Sequence, residues 1–122
     1  MKTFLRIFLG LTAVVLLAQG AAWAFVPEFN MVMNGIQVNS PLGLNMVKSD
    51  IGGGLLAAGA FLALYALKGG HWFYPTAIVA GSYAGVRLVS CITDGWDPLA
   101  TFGVGLEALV VLAAWALRRQ GW

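Results

Sequence analysis

The chain holds almost nothing with which to grip a metal or cross-link itself. Its 122 residues include one cysteine, Cys91, and one histidine, His71. A lone cysteine excludes an intramolecular disulfide. Paired CxxC, HExxH, Walker-type glycines and GxSxG are all absent, so no metal-hydrolase, P-loop or serine-hydrolase signature is present. Haem or zinc bound by this chain alone is not expected, and no cofactor is expected. Charge is also scarce. Only 10% of residues are charged, against ~25% in ordinary soluble domains. The net charge is +2, with no basic stripe interleaved with aromatics, so no nucleic-acid partner is expected.

Apolar residues fill the space that charge leaves, at 60% of the chain. A soluble domain this small has too little interior to hide them, which points to an integral membrane protein with the lipid bilayer as its main partner. Four apolar runs approach the ~20 residues that a spanning helix needs: 4–25, 44–67, 72–92 and 99–117. Ser40 and Pro41 form a good N-cap and first-turn pair, so the second helix starts earlier if that pair is used. The first connection, 26–43, is the longest and carries Pro27, Asn30, Asn34, Gly35 and Asn39. Lys68-Gly69-Gly70-His71 and the acidic turn from Asp94 to Pro98 are short. Short links imply antiparallel neighbours. The expected fold is an all-α, up-down four-helix bundle forming one transmembrane domain over 1–122.

Lys2, Arg6, Lys68, Arg118 and Arg119 then share one side, while Lys48 is the only basic residue in the opposite connections, beside Glu28, Asp94 and Asp97. The bias of basic residues places both termini in the cytoplasm. Trp23, Trp72, Trp96 and Trp122 lie near span ends, as interfacial aromatics do. A second reading of the N-terminus stays open. Lys2, Arg6, the apolar stretch 7–17 and Ala22-Trp23-Ala24 have the layout of a cleaved signal peptide, which would leave three spans and an outside N-terminus.

Ionisable groups inside a span are costly and mark function by default. Arg87 and Glu107 lie within the third and fourth runs, and Asp50 near the head of the second. At 1.5 Å rise per residue, Gln19, Asp50, Arg87 and Glu107 all fall about 7–12 Å below the outer ends of their helices. Residues three and four apart share a face. Arg87 therefore sides with Tyr83, Ala84, Ser90 and Cys91, Glu107 with Ala100, Gly103 and Ala114, and Asp50 with Gly53, Gly54 and Ala57. The expectation is one inward-facing polar layer shared by four helices. One arginine against two carboxylates leaves it formally acidic unless Lys48 contributes or an acid holds a proton, and Glu107, the deepest acid, is the one expected to hold it. The bland alternative is a buried network that fixes register and binds nothing. Ala77, Gly81 and Gly85 form a small-residue stripe, read first as internal packing and second as a dimer seam. His71 reads as interfacial, Asp94 and Asp97 as turn formers, and Cys91 as a small core residue.

Together, Asn45, Lys48, Ser49, Asp50 and Gly52-Gly53, then Arg87-Leu88, Gly95 and Glu107-Ala108-Leu109, give the chain a recognisable outline. It resembles the small bacterial four-helix membrane proteins called domain of unknown function 4345 and, more distantly, the DoxX-like membrane proteins. Lys48 stands where that family has arginine. The resemblance implies a multi-pass protein of the bacterial inner membrane, and its DoxX-like side implies association with quinone-linked redox complexes. The leading expectation is a non-enzymatic protein that binds an amphipathic ligand, such as a lipid or quinone, or a membrane-protein partner or second copy. The binding layer would comprise Gln19, Asn45, Lys48, Asp50, Tyr83, Arg87 and Glu107. The rival is an intramembrane enzyme or redox accessory in which Glu107 and Asp50 move protons. A standalone carrier is disfavoured, because paired broken helices are missing.

Overall fold

Where water is absent, a long apolar chain satisfies its backbone only by bonding within itself, which favours helices. A computed structural model describes residues 1–122, and 88 of its 100 backbone hydrogen bonds lie within its helices. The elements are α1 (Lys2–Phe25), α2 (Pro27–Met33), α3 (Pro41–Met46), α4 (Gly54–Lys68), α5 (Phe73–Asp94) and α6 (Pro98–Arg119). A π-helical segment, Val47–Gly53, joins α3 to α4, so that Pro41–Lys68 is one continuous span. Four helical stretches are long and apolar enough to cross a membrane.

Local chemistry sets the ends. The Ser40 hydroxyl accepts from the Gly43 amide at 3.0 Å, with Pro41 in the first turn of α3. Asp97 caps α6 by accepting from the amides of Leu99 and Ala100 at 2.9 and 3.1 Å, with Pro98 in the first turn. Gly69 ends α4 at φ +66°, a left-handed conformation that side chains avoid. The long first connection contains α2. Pro27 at its start and Glu28 in its first turn suit a helix N-terminus, a signal diluted by the asparagines and glycine that follow.

The helices associate as two close pairs, α1 with Pro41–Lys68 and α5 with α6, which meet more loosely across the bundle. Glycines make the first pair close. A Cβ at Gly20 would lie 2.7 Å from the Leu56 amide nitrogen, one at Gly52 2.8 Å from the Ala24 nitrogen, and one at Gly59 2.8 Å from Leu17. Those backbones touch because no side chain stands between them. The stripe Ala77, Gly81 and Gly85 does otherwise. Gly81 and Gly85 are exposed and a Cβ on either would meet nothing within 4 Å, so the stripe faces away from the bundle.

The principal core joins Leu9 and Ala13 of α1, Leu62, Tyr65 and Ala66 of α4, and Val110, Ala113, Ala114 and Leu117 of α6. It lies toward the end that carries the basic residues. There Tyr65 donates its hydroxyl to the Ala114 carbonyl at 2.9 Å, and the Trp122 indole donates to the Tyr65 carbonyl at 2.8 Å. Arg6 donates to the Ala66 carbonyl at 3.1 Å and stacks on the Trp122 ring at 3.9 Å, with the Lys2 ammonium 4.8 Å from the same ring. The two ends of the chain thus meet at one end of the bundle. Replacing Tyr65 with phenylalanine removes one donor and leaves the Ala114 carbonyl without it. A loss of about 1–2 kcal/mol is expected in reversible unfolding in micelles.

Outside this core the surface is greasy. Ile7, Leu11, Val14 and Val15 of α1, Ile78, Val86 and Val89 of α5, and Phe102, Leu109 and Leu112 of α6 are all exposed. Each such side chain gains about 1.5–3 kcal/mol on leaving water, and contiguous faces of this kind belong in contact with lipid or protein. The fold is an all-helical bundle with four helical stretches long and apolar enough to cross a membrane.

Candidate functional site

The looser contact between the two helix pairs leaves a cavity of about 200 Å³. All four spans line it: Thr12 and Leu16 from α1, Leu55, Ala58 and Leu62 from α4, and residues of α5 and α6. On α5, Thr76, Ala80, Tyr83 and Arg87 recur every three or four residues, and on α6 Gly103, Leu106, Glu107 and Val110 do the same. One helical face of each therefore turns toward it.

Arg87 and Glu107 stand at this cavity as a close ion pair. Arg87 Nε donates to both carboxylate oxygens at 3.3 Å, and Nη2 donates to Oε1 at 3.0 Å. The Arg87 side chain is 41% exposed and that of Glu107 20%, so the arginine reaches outward from a more enclosed acid. Gly103, one turn before Glu107, lets this happen. A Cβ there would lie 3.0 Å from Arg87 Cδ and Nε, so the guanidinium rests against bare backbone. Gly54 performs the same service for Tyr83, since a Cβ at that position would come within 2.5 Å of the Tyr83 hydroxyl. The guanidinium thus reaches both oxygens of the Glu107 side chain.

The polar groups around the cavity divide sharply. Thr12 donates to the Phe8 carbonyl at 2.9 Å, and the buried Thr76 donates across helices to the Phe61 carbonyl at 3.0 Å. With those hydroxyls occupied, their wall is apolar in effect. At the other end Arg87 spends Nε and Nη2 on Glu107, while Nη1 and the Tyr83 hydroxyl donate to no protein group. An apolar pocket with a few converging polar atoms is the usual form of a small-ligand site. These free atoms are hydrogen-bond donors, with one net-neutral ion pair behind them.

The remaining members of the expected layer lie apart. Asp50 is exposed, accepts from the Ser49 hydroxyl at 3.1 Å and does not line the cavity. Lys48 is half-buried and Asn45 exposed, and neither touches the Arg87–Glu107 pair. Gln19 is exposed on α1. The reason for Asp50 is local. It lies within the π-helical Val47–Gly53, where each turn takes in an extra residue. That segment packs chiefly against α1 rather than against α5 or α6, which carry Tyr83, Arg87 and Glu107. No motif in the sequence marks Thr12 and Thr76 as cavity residues, because single threonines in apolar helices usually bond back to their own backbone. The spacing of Thr76 to Tyr83 and Arg87 is the available signal.

No three His, Cys, Asp or Glu side chains converge as a metal ion would require. Comparison with protein-family models, with curated proteins and with solved structures finds no match to this chain.

Proposed function

We propose that the chain is an inner-membrane protein, both termini cytoplasmic, that binds an amphipathic molecule in the cavity between its helix pairs. The observation that carries this reading is the pairing of an apolar cavity with two unspent donors, Arg87 Nη1 and the Tyr83 hydroxyl. Donors of that kind suit a carbonyl, carboxylate or phosphate head. A cavity of about 200 Å³ takes a ring or a short length of acyl chain; an engineered protein void of ~150 Å³ holds benzene. A whole lipid or a long-tailed quinone would enter only in part, its remainder lying along the lipid-facing surface. The basic end belongs in the cytoplasm by the bias of Lys and Arg. A bacterial membrane rests on the resemblance of the residue pattern to the domain of unknown function 4345 proteins.

A second reading draws support from Glu107, which lines the cavity and has the chemistry to move a proton on a bound substrate or quinone. Asp50, its expected companion, lies outside the cavity, so proton movement would rest on Glu107 alone.

Native mass spectrometry of the protein extracted in mild detergent tests the binding. Wild type is expected to carry a bound amphipath. Ala80→Phe, which fills the cavity while sparing the ion pair, is expected to lose it at least tenfold, and so is Arg87→Gln. An empty wild type, or full occupancy in Ala80→Phe, would overturn the proposal. Turnover of the bound molecule that disappears in Glu107→Gln would favour the enzymatic reading.

A further inference from the structure

A second concave feature lies on the outside of the bundle, between α1 and α4 and away from the Arg87 cavity. It is an open groove of about 490 Å³ whose apolar lining includes Ile7, Val14 and Leu17 of α1 and Leu67 of α4. Gly10 forms part of its floor, and a Cβ there would meet nothing within 4 Å. Its one charged lining residue is Arg6. We infer that this groove holds an acyl chain of an anionic phospholipid whose head group is gripped by Arg6.

Two observations single out that occupant. Arg6 is already positioned: its Nε donates to the Ala66 carbonyl at 3.1 Å and its Cζ lies 3.9 Å from the centre of the Trp122 ring. Both Nη groups donate to no protein atom, which leaves a planar fork suited to phosphate oxygens. The surrounding charge is also one-sided. Lys2, Arg6, Lys68, Arg118 and Arg119 lie at this end, and none of the five Asp and Glu residues does. Glu107 is bound to Arg87 within the spans, and Glu28, Asp50, Asp94 and Asp97 lie toward the other end. No Asp or Glu side chain pairs with these cations, and a lipid phosphate has the charge to do so. Gly10 and Ala13 leave room for a chain to lie against α1 below the head group.

The site is independent of the central cavity, though it rests on the reading of the chain as a membrane protein. The test is native mass spectrometry of delipidated protein offered equal amounts of phosphatidylglycerol and phosphatidylcholine with identical chains. Wild type is expected to retain phosphatidylglycerol at least fivefold over phosphatidylcholine. Gly10→Leu starts from a Cβ that meets nothing within 4 Å, projects into the groove and is expected to lose most of that adduct. Arg6→Gln is expected to bring the two lipids to parity, while Ala80→Phe and the lipid-facing Gly85→Leu leave the preference intact. Equal retention of both lipids by wild type, or an unchanged phosphatidylglycerol adduct in Gly10→Leu, overturns the inference. Absence of any lipid adduct would instead count against the membrane reading itself.

Discussion

Glu107→Leu is expected to destabilise the protein by about 3 kcal/mol, because it keeps the volume of the side chain and strands the Arg87 guanidinium. Arg87 would lose all three of its hydrogen bonds. At 41% exposure it can swing outward from the bundle, which keeps the cost near the lower end for a broken buried pair. Removing both charges together gives a different result. Arg87→Met/Glu107→Leu is expected to recover to within about 1 kcal/mol of wild type, since apolar side chains of similar size often replace an ion pair without loss. Equilibrium unfolding in mixed micelles reads both values. A double variant as unstable as the single would refute this account of the pair. The same double variant also separates structure from binding. If it is stable but carries no amphipath, the pair exists to present Arg87; if it is stable and still loaded, the binding proposal fails.

The second large effect concerns a methyl group. Gly52→Ala places a Cβ 2.8 Å from the Ala24 nitrogen, 3.0 Å from its Cα and 3.1 Å from its Cβ. All three atoms belong to the body of the facing residue, so no rotamer change relieves the clash and the two helices must move apart. A loss of about 2–3 kcal/mol is expected, together with weakened contacts along Gly20 and Gly59. The neighbouring Gly53→Ala is the control, because its Cβ would meet nothing within 4 Å, and its effect should stay within about 1 kcal/mol. Thermal unfolding in detergent, followed by circular dichroism, compares them directly. Equal midpoints for the two variants would mean that α1 and the second span are not held by backbone contact.

Much of this arrangement can be read without coordinates. Apolar length gives the spans, and Ser40-Pro41 and Asp97-Pro98 carry their own start signals. Arg87 and Glu107 lie ten residues on either side of Asp97, so a tight turn between antiparallel helices sets them at matching heights. Other features resist such reading for definite reasons. Helical spacing gives Asp50 a face but not a neighbour, and its segment packs chiefly against α1. Gln19 shares the right depth but has a different azimuth, and depth alone says nothing about facing. Gly81 and Gly85 have the spacing of a packing seam just as Gly52 and Gly59 do in looser form, yet only the latter meet a neighbour. Spacing tells which helix surface is smooth; the opposite surface, which decides its use, comes from elsewhere in the chain.

The grouping of helices in two pairs, with the main core toward the basic end, makes the molecule a pair of tongs. Tyr65, Leu117 and Trp122 with Arg6 form the rivet, the pairs are the arms, and Arg87 and Tyr83 lie between the jaws. Spreading the arms disturbs the sparse contacts between pairs and leaves the rivet intact. On the proposed reading, a molecule would enter and leave the cavity without unfolding that rivet.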